Sequence, residues 1–195
     1  MKTILSKSLS TITILGLLAA ASTRLSASEP TAFELIKEGN RHVGEDAKDR
    51  IVQIWSDKSV GSLTPNIWHI VFYDPDASLK ATEVTFAAGK KLSVKRPSRL
   101  LEPITGAHKQ LSREKLKLDS DKAIEIATKD PLLKNLKLTS TQLWLEKGDD
   151  APKWKVRLWA EKLRNPTRTA DIGQIFISAD DGKVLERDLH INRVE

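Results

Sequence analysis

The chain contains no cysteine. Disulfides and thiolate metal sites are therefore impossible, and so is a lipid anchor attached through sulfur. The fold must be held by its core alone, as is common in bacterial envelopes and unusual in eukaryotic secretion. Aromatic residues are scarce, 5% of 195, and half of them are tryptophan, so the positions of those few rings are informative. Charge of one sign is in small excess, net +6. It is spread along the chain with no concentrated basic stripe, which argues against a nucleic-acid partner. Long hydrophobic runs are missing except for one.

That run is Ile12 to Ala21, preceded by Lys2 and Lys7 and followed by small residues. It is about half the roughly 20 residues that a membrane-crossing helix needs, so residues 1–27 read as a cleaved signal peptide. Ala27 satisfies the small-residue rule at the cleavage point. Cleavage after Ala21 fits Ala-x-Ala better but leaves Arg24 in the mature chain. The expectation is a periplasmic or secreted protein that meets a membrane only through its transient leader. The leader carries three basic residues (Lys2, Lys7, Arg24) and no acid, so the mature net charge is +3. The remainder is long enough for one large or two small cored domains.

Internal similarity organises that remainder. Gln53-Ile54-Trp55-Ser56-Asp57-Lys58 returns 89 residues later as Gln142-Leu143-Trp144-Leu145-Glu146-Lys147. After each comes a proline-containing turn and a second tryptophan strand, Trp68 to Tyr73 and Trp154 to Trp159. Third strands follow at Glu83 to Ala87 and Gly173 to Ser178. Each copy then turns at Gly-Lys (Gly89-Lys90, Gly182-Lys183) into a fourth strand near Leu92 or Leu185. Ahead of the first set, Thr31 and Glu34 form a capping-box pattern, and Ala32, Ile36, Val43 and Ala47 keep helical spacing, with a break expected between Gly39 and Gly44. Ahead of the second, Asp119 or Ser120 caps a helix through Ala127 that Asp130-Pro131 stops. The fold class expected is α+β: a first unit over 28–96, a connecting segment over 97–118, and a second unit over 119–195. Each unit lays one helix on a four-stranded antiparallel sheet.

Alternation along strands assigns faces. Leu143 and Leu145, then Trp154, Val156, Leu158 and Ala160, then Ile175 and Ile177, share the helix side. Trp144, Trp159 and Phe176 turn the other way, beside Lys155 and Arg157. In the first unit Val52, Ile54, Trp68, Ile70 and Phe72 are read as inward, with Trp55 and Tyr73 outward beside Gln53 and His69. The candidate binding residues are thus Trp55, Tyr73, Trp144, Trp159 and Phe176. Outward rings suit a protein or peptide partner. A purely structural role, with the two open faces packed together, and stacking on a sugar are the alternatives.

Catalytic and metal motifs are absent: there is no His-Glu-x-x-His, phosphate loop or Gly-x-Ser-x-Gly elbow, and the four histidines are scattered. Asp180-Asp181-Gly182 is explained by hairpin chemistry. No cofactor, metal or catalytic residue is assigned, although an unrecognised hydrolase built from distant carboxylates stays open, as does the oligomeric state.

The second unit resembles a PepSY-type, propeptide-associated module. The matching residues are Asp121-Lys122-Ala123-Ile124-Glu125-Ile126-Ala127, the strand Trp154-Lys155-Val156, and the closing hairpin Phe176 to Leu185. The first unit departs from the pattern, with Lys91 in place of the turn-following valine. The resemblance implies tandem PepSY-like (cystatin-like) helix-on-sheet units without enzymatic activity, of a kind that inhibits or chaperones peptidases or senses in the envelope. Tandem helix-on-sheet units are also similar, more distantly, to secreted beta-lactamase inhibitor proteins.

Overall fold

The computed structural model describes residues 29–96 and 110–195. Residues 1–27, expected to be a leader, and most of the expected connecting segment lie outside the described residues. None of the described helices is long and apolar enough to cross a membrane.

Helix α1 spans Ala32–Gly39. Thr31 and Glu34 form the reciprocal capping box expected of them, and Ala32, Leu35, Ile36 and Gly39 are buried. The helix stops at Gly39 and the helical path breaks before Gly44, as the two glycines suggest, with short 3-10 turns at Asn40–His42 and Glu45–Ala47. Gly39 is a packing residue: a Cβ there would lie 2.8 Å from the Phe72 ring. Four strands follow, β1 Ile51–Ser56, β2 Ile67–Tyr73, β3 Ala81–Ala87 and β4 Lys90–Lys95. Helix α2, Ser120–Thr128, is capped by Asp119, and Asp130-Pro131 turns the chain into β5 Leu138–Glu146. Then come β6 Lys153–Lys162, β7 Asn165–Ser178 and β8 Val184–Leu189. Strand β7 begins eight residues before the expected Gly173, because β6 and β7 run on as a long exposed hairpin past the end of the sheet.

All strands pair antiparallel in one sheet, ordered β4-β3-β2-β1-β5-β6-β7-β8. The expectation of two separate four-stranded sheets is corrected at the seam, where β1 pairs with β5. Backbone register there covers only Ile54↔Leu145 and Trp55↔Trp144. Serine hydroxyls extend it. The amide of Leu143 donates to Ser56 Oγ at 2.9 Å, and that of Thr141 donates to Ser59 Oγ at 2.9 Å. The Ser59 amide donates back to the Thr141 carbonyl at 2.8 Å. These buried groups would otherwise be unpaired polar atoms at the join.

One face of the sheet carries a contiguous core drawn from both halves, including Ile54, Trp68, Ile70, Phe72, Leu143, Leu145, Trp154, Val156 and Ile175. The helices meet above it. Phe33 of α1 stacks on Trp154 of β6 with centroids 6.2 Å apart. Ser120 Oγ accepts from the Ala32 amide, and Asp119 Oδ1 accepts from the amides of both Phe33 and Ser120. One carboxylate thus serves the first turns of two helices. Burial pushes its pKa up, against the hydrogen bonds from Thr31, Ser120 and Phe33.

Candidate functional site

The opposite face has no helix on it among the described residues, and all five rings singled out above stand there. Trp55, Tyr73, Trp144, Trp159 and Phe176 are each partly exposed, whereas the inward tryptophans Trp68 and Trp154 are almost fully buried, at 1% and 0%. One assignment is corrected. A β-bulge between Ile51 and Gln53 shifts Val52, so that Ile51 joins the main core while Val52 packs with Val71, Ala81 and Tyr73 in a small second cluster on the open side. The two halves of the open face lie side by side and do not pack on one another.

Register joins three of the rings, Trp55, Trp144 and Phe176, into a single line across the sheet. Ser93, Thr85, His69, Trp55, Trp144, Lys155, Phe176 and Glu186 are successive cross-strand partners from β4 to β8. Trp55 and Trp144 occupy its centre. Eight strands at about 4.8 Å spacing make this line about 34 Å long.

Each ring has a nitrogenous neighbour. The His69 imidazole lies flat on Trp55, centroids 3.5 Å apart and planes within 3°. Arg50 stands 4.4 Å over Tyr73, Lys155 4.5 Å over Trp144 and Lys153 5.1 Å over Phe176. Trp159 is approached by Lys58, from across the seam at 4.5 Å, and by Arg157 at 5.4 Å. Cation–π contacts of this kind hold rings upright at the surface, each for about 0.5–1 kcal/mol at exposed sites. Lys155 and Arg157 were legible in the sequence as outward residues. Lys58, which follows β1 in a loop, was not, because its contact depends on β1 lying beside β5.

Acids on this face are mostly engaged. Arg157 is ion-paired with Asp171, and Glu146 lies 3.9 Å from Lys153. His69 Nδ1 is 3.1 Å from Glu83 Oε1, and its Nε2 is 3.5 Å from Asp57 Oδ1. The hydrogen bond with His69 holds the Glu83 carboxyl below the usual range, with burial opposing it and the charges of His69 and Lys95 and the Thr85 hydroxyl assisting. Lys58 and Lys155 form no ion pair among the described residues.

Elsewhere, a cavity of about 190 Å³ lies between α1 and residues 111–116, lined by Phe33, Ile36, Ile51 and Leu111 and holding the Asp49–Arg113 ion pair. A polar cleft of about 510 Å³ lies at the β5–β6 and β7–β8 turns, where Asp180 and Asp181 are paired with Lys117 and Lys183. No group of three or more His, Asp or Glu placed to hold a metal ion occurs among the described residues.

No protein-family model matches the chain, and neither a curated protein nor a solved structure matches it significantly.

Proposed function

We propose that this protein is an exported, non-enzymatic binding module of the bacterial cell envelope that recognises a protein or an extended peptide through the open face of its sheet. The observation that carries this reading is the cross-strand line with Trp55 and Trp144 at its centre, flanked by Tyr73, Trp159 and Phe176 and left uncovered by either helix. Rings held upright by neighbouring cations are ordered before a partner arrives, which lowers the entropy cost of binding. A face about 34 Å long matches the extent of a protein interface better than that of a small ligand.

The two halves are tandem PepSY-like units, fused through β1 and β5. Support comes from the order helix then four strands, which recurs, and from Trp55 and Trp144, the matching residues of the two repeats, being each other's register partners. A peptidase is the partner class that the PepSY resemblance suggests, held as a separate protein by an inhibitory contact.

The test is a pull-down from the envelope fraction of the producing cell, comparing wild type with the Trp144→Ala/Trp159→Ala double variant. A partner retained by wild type and lost by the folded variant is expected; identical captures by both would remove the open face from consideration. The second reading, a purely structural role, is favoured by the fact that each ring already has a partner within the chain. Under that reading the double variant loses stability and no partner.

A further inference from the structure

Nitrogen-bearing side chains already occupy part of the ring surface. His69 lies flat on Trp55, and Trp144, Trp159 and Phe176 each have a lysine or arginine over the ring. A sugar or other flat neutral ligand would have to compete with a cation at each of these three rings. What the β5–β7 half presents is therefore a set of cations seated on aromatic supports: Lys58, Lys153, Lys155 and Arg157. Two of them, Lys153 and Arg157, share their charge with Glu146 and Asp171. The other two do not. Lys58, over Trp159, and Lys155, over Trp144, both stand on the β5–β6 side of the seam and have no carboxylate partner among the described residues.

An ammonium group fixed against an indole has lost rotamer freedom already and has no internal counter-ion, so an incoming carboxylate gains the full interaction. We infer that the sheet beside the seam docks an acidic extended segment of a partner protein, with Lys58 (over Trp159) and Lys155 (over Trp144) taking its carboxylates and the side chain between them lying over the Gln142–Arg157 pair. In an extended segment, residues two apart point the same way about 7 Å from each other. A Glu-x-Leu-x-Glu spacing therefore places acid, apolar and acid groups on one side. This inference rests on the open face being the recognition surface and adds the chemistry of what it recognises.

The probe is a fluorescently labelled peptide, Glu-Ser-Leu-Ser-Glu-Ser-Leu-Ser-Glu, with two controls in which glutamine or lysine replaces every glutamate. Binding to the full mature chain is followed by fluorescence anisotropy. The acidic peptide is expected to bind at least tenfold more tightly than the glutamine control and to weaken as salt is raised. The Lys58→Gln/Lys155→Gln variant should lose that preference, and Lys155→Glu should transfer it toward the lysine peptide. Circular dichroism of each variant checks that the fold is kept. Equal affinity for the glutamate and glutamine peptides, both lost in Trp144→Ala, overturns the acidic partner and leaves the open face as the binding surface. Acidic-peptide binding that Trp144→Ala leaves unchanged overturns both ideas, and no binding of the acidic peptide overturns this inference.

Discussion

Trp55 and Trp144, 89 residues apart in the chain, are direct cross-strand partners at the one place where β1 meets β5. Matching residues of two similar segments can pair with each other in an antiparallel sheet only if a local two-fold axis runs between them, perpendicular to the sheet. The first turns of the two helices also meet, joined through Asp119 and Ser120. The seam is thus the middle of the aromatic line.

The two faces respond differently to loss of an indole. Trp154→Ala empties a fully buried site stacked on Phe33 and is expected to destabilise the fold by about 3–5 kcal/mol. Trp159→Ala, on the open side, removes cation–π contacts and should cost about 1 kcal/mol or less. Urea unfolding of the two variants separates these outcomes. Similar losses in both would contradict the assignment of faces.

Serine hydroxyls supplement the backbone pairing at the seam. Ser56 is fully buried and accepts the Leu143 amide, so Ser56→Ala leaves a buried donor unpaired and is expected to cost about 1–3 kcal/mol. Ser56→Thr keeps the oxygen and should recover part of that stability. Hydrogen exchange at the Leu143 amide in β5 should rise in the alanine variant and stay slow in β6 and β7.

Gly173 bends the long β7 strand. Its φ is +100°, and a Cβ there would lie 2.0 Å from the Asp188 carbonyl oxygen of β8. Gly173→Ala therefore combines backbone strain with a clash against the edge strand and should cost more than 2 kcal/mol. Melting temperature measures it, and a shift smaller than that of an exposed Gly44→Ala control, which has open space around its Cα, would contradict the geometry.

Acid should weaken the fold through identifiable carboxyls. Glu83 is held low chiefly by its hydrogen bond with His69. At Asp74, burial pushes upward but is outweighed by the Thr82 hydroxyl, the amides of Asp76 and Ala77 and the charge of Arg96, so its pKa is also lowered. Asp171 likewise stays low: burial opposes, and Arg157, the Gly173 amide and Arg193 prevail. A carboxyl that binds protons more weakly in the folded chain stabilises it above the unfolded range, here 3.8 for Asp and 4.5 for Glu. That contribution is lost as pH falls through the lower folded values. Unfolding midpoints should therefore drop below about pH 4.5, and Glu83→Gln should make the drop shallower while lowering stability at neutral pH.

Much of this architecture is legible in the sequence because strand alternation is a strict physical rule. Trp154 and Trp159 differ in parity and do point to opposite faces. Where a bulge resets the count, as at Val52, alternation assigns the wrong side, and nothing in the local residues announces the bulge. The two strand sets could be read from Trp55 and Trp144 as equivalent, but equivalence does not say that they touch. The pairing of β1 with β5 depends on Ser56 and Ser59 supplying hydroxyls to a strand more than 80 residues away. Of the contacts over the rings, one is a consequence of that pairing. Lys155 on Trp144 follows from one hairpin, whereas Lys58 on Trp159 exists only because the halves share a sheet.

Recognition through the open face is tested most directly by the indole N–H resonances of the five tryptophans, recorded while the glutamate peptide is titrated into the protein. The signals of Trp144 and Trp159 are expected to move together, with Trp55 following, while those of Trp68 and Trp154 stay in place. Movement of the buried pair alone, or saturation with no change at Trp144 and Trp159, would contradict recognition through the open face.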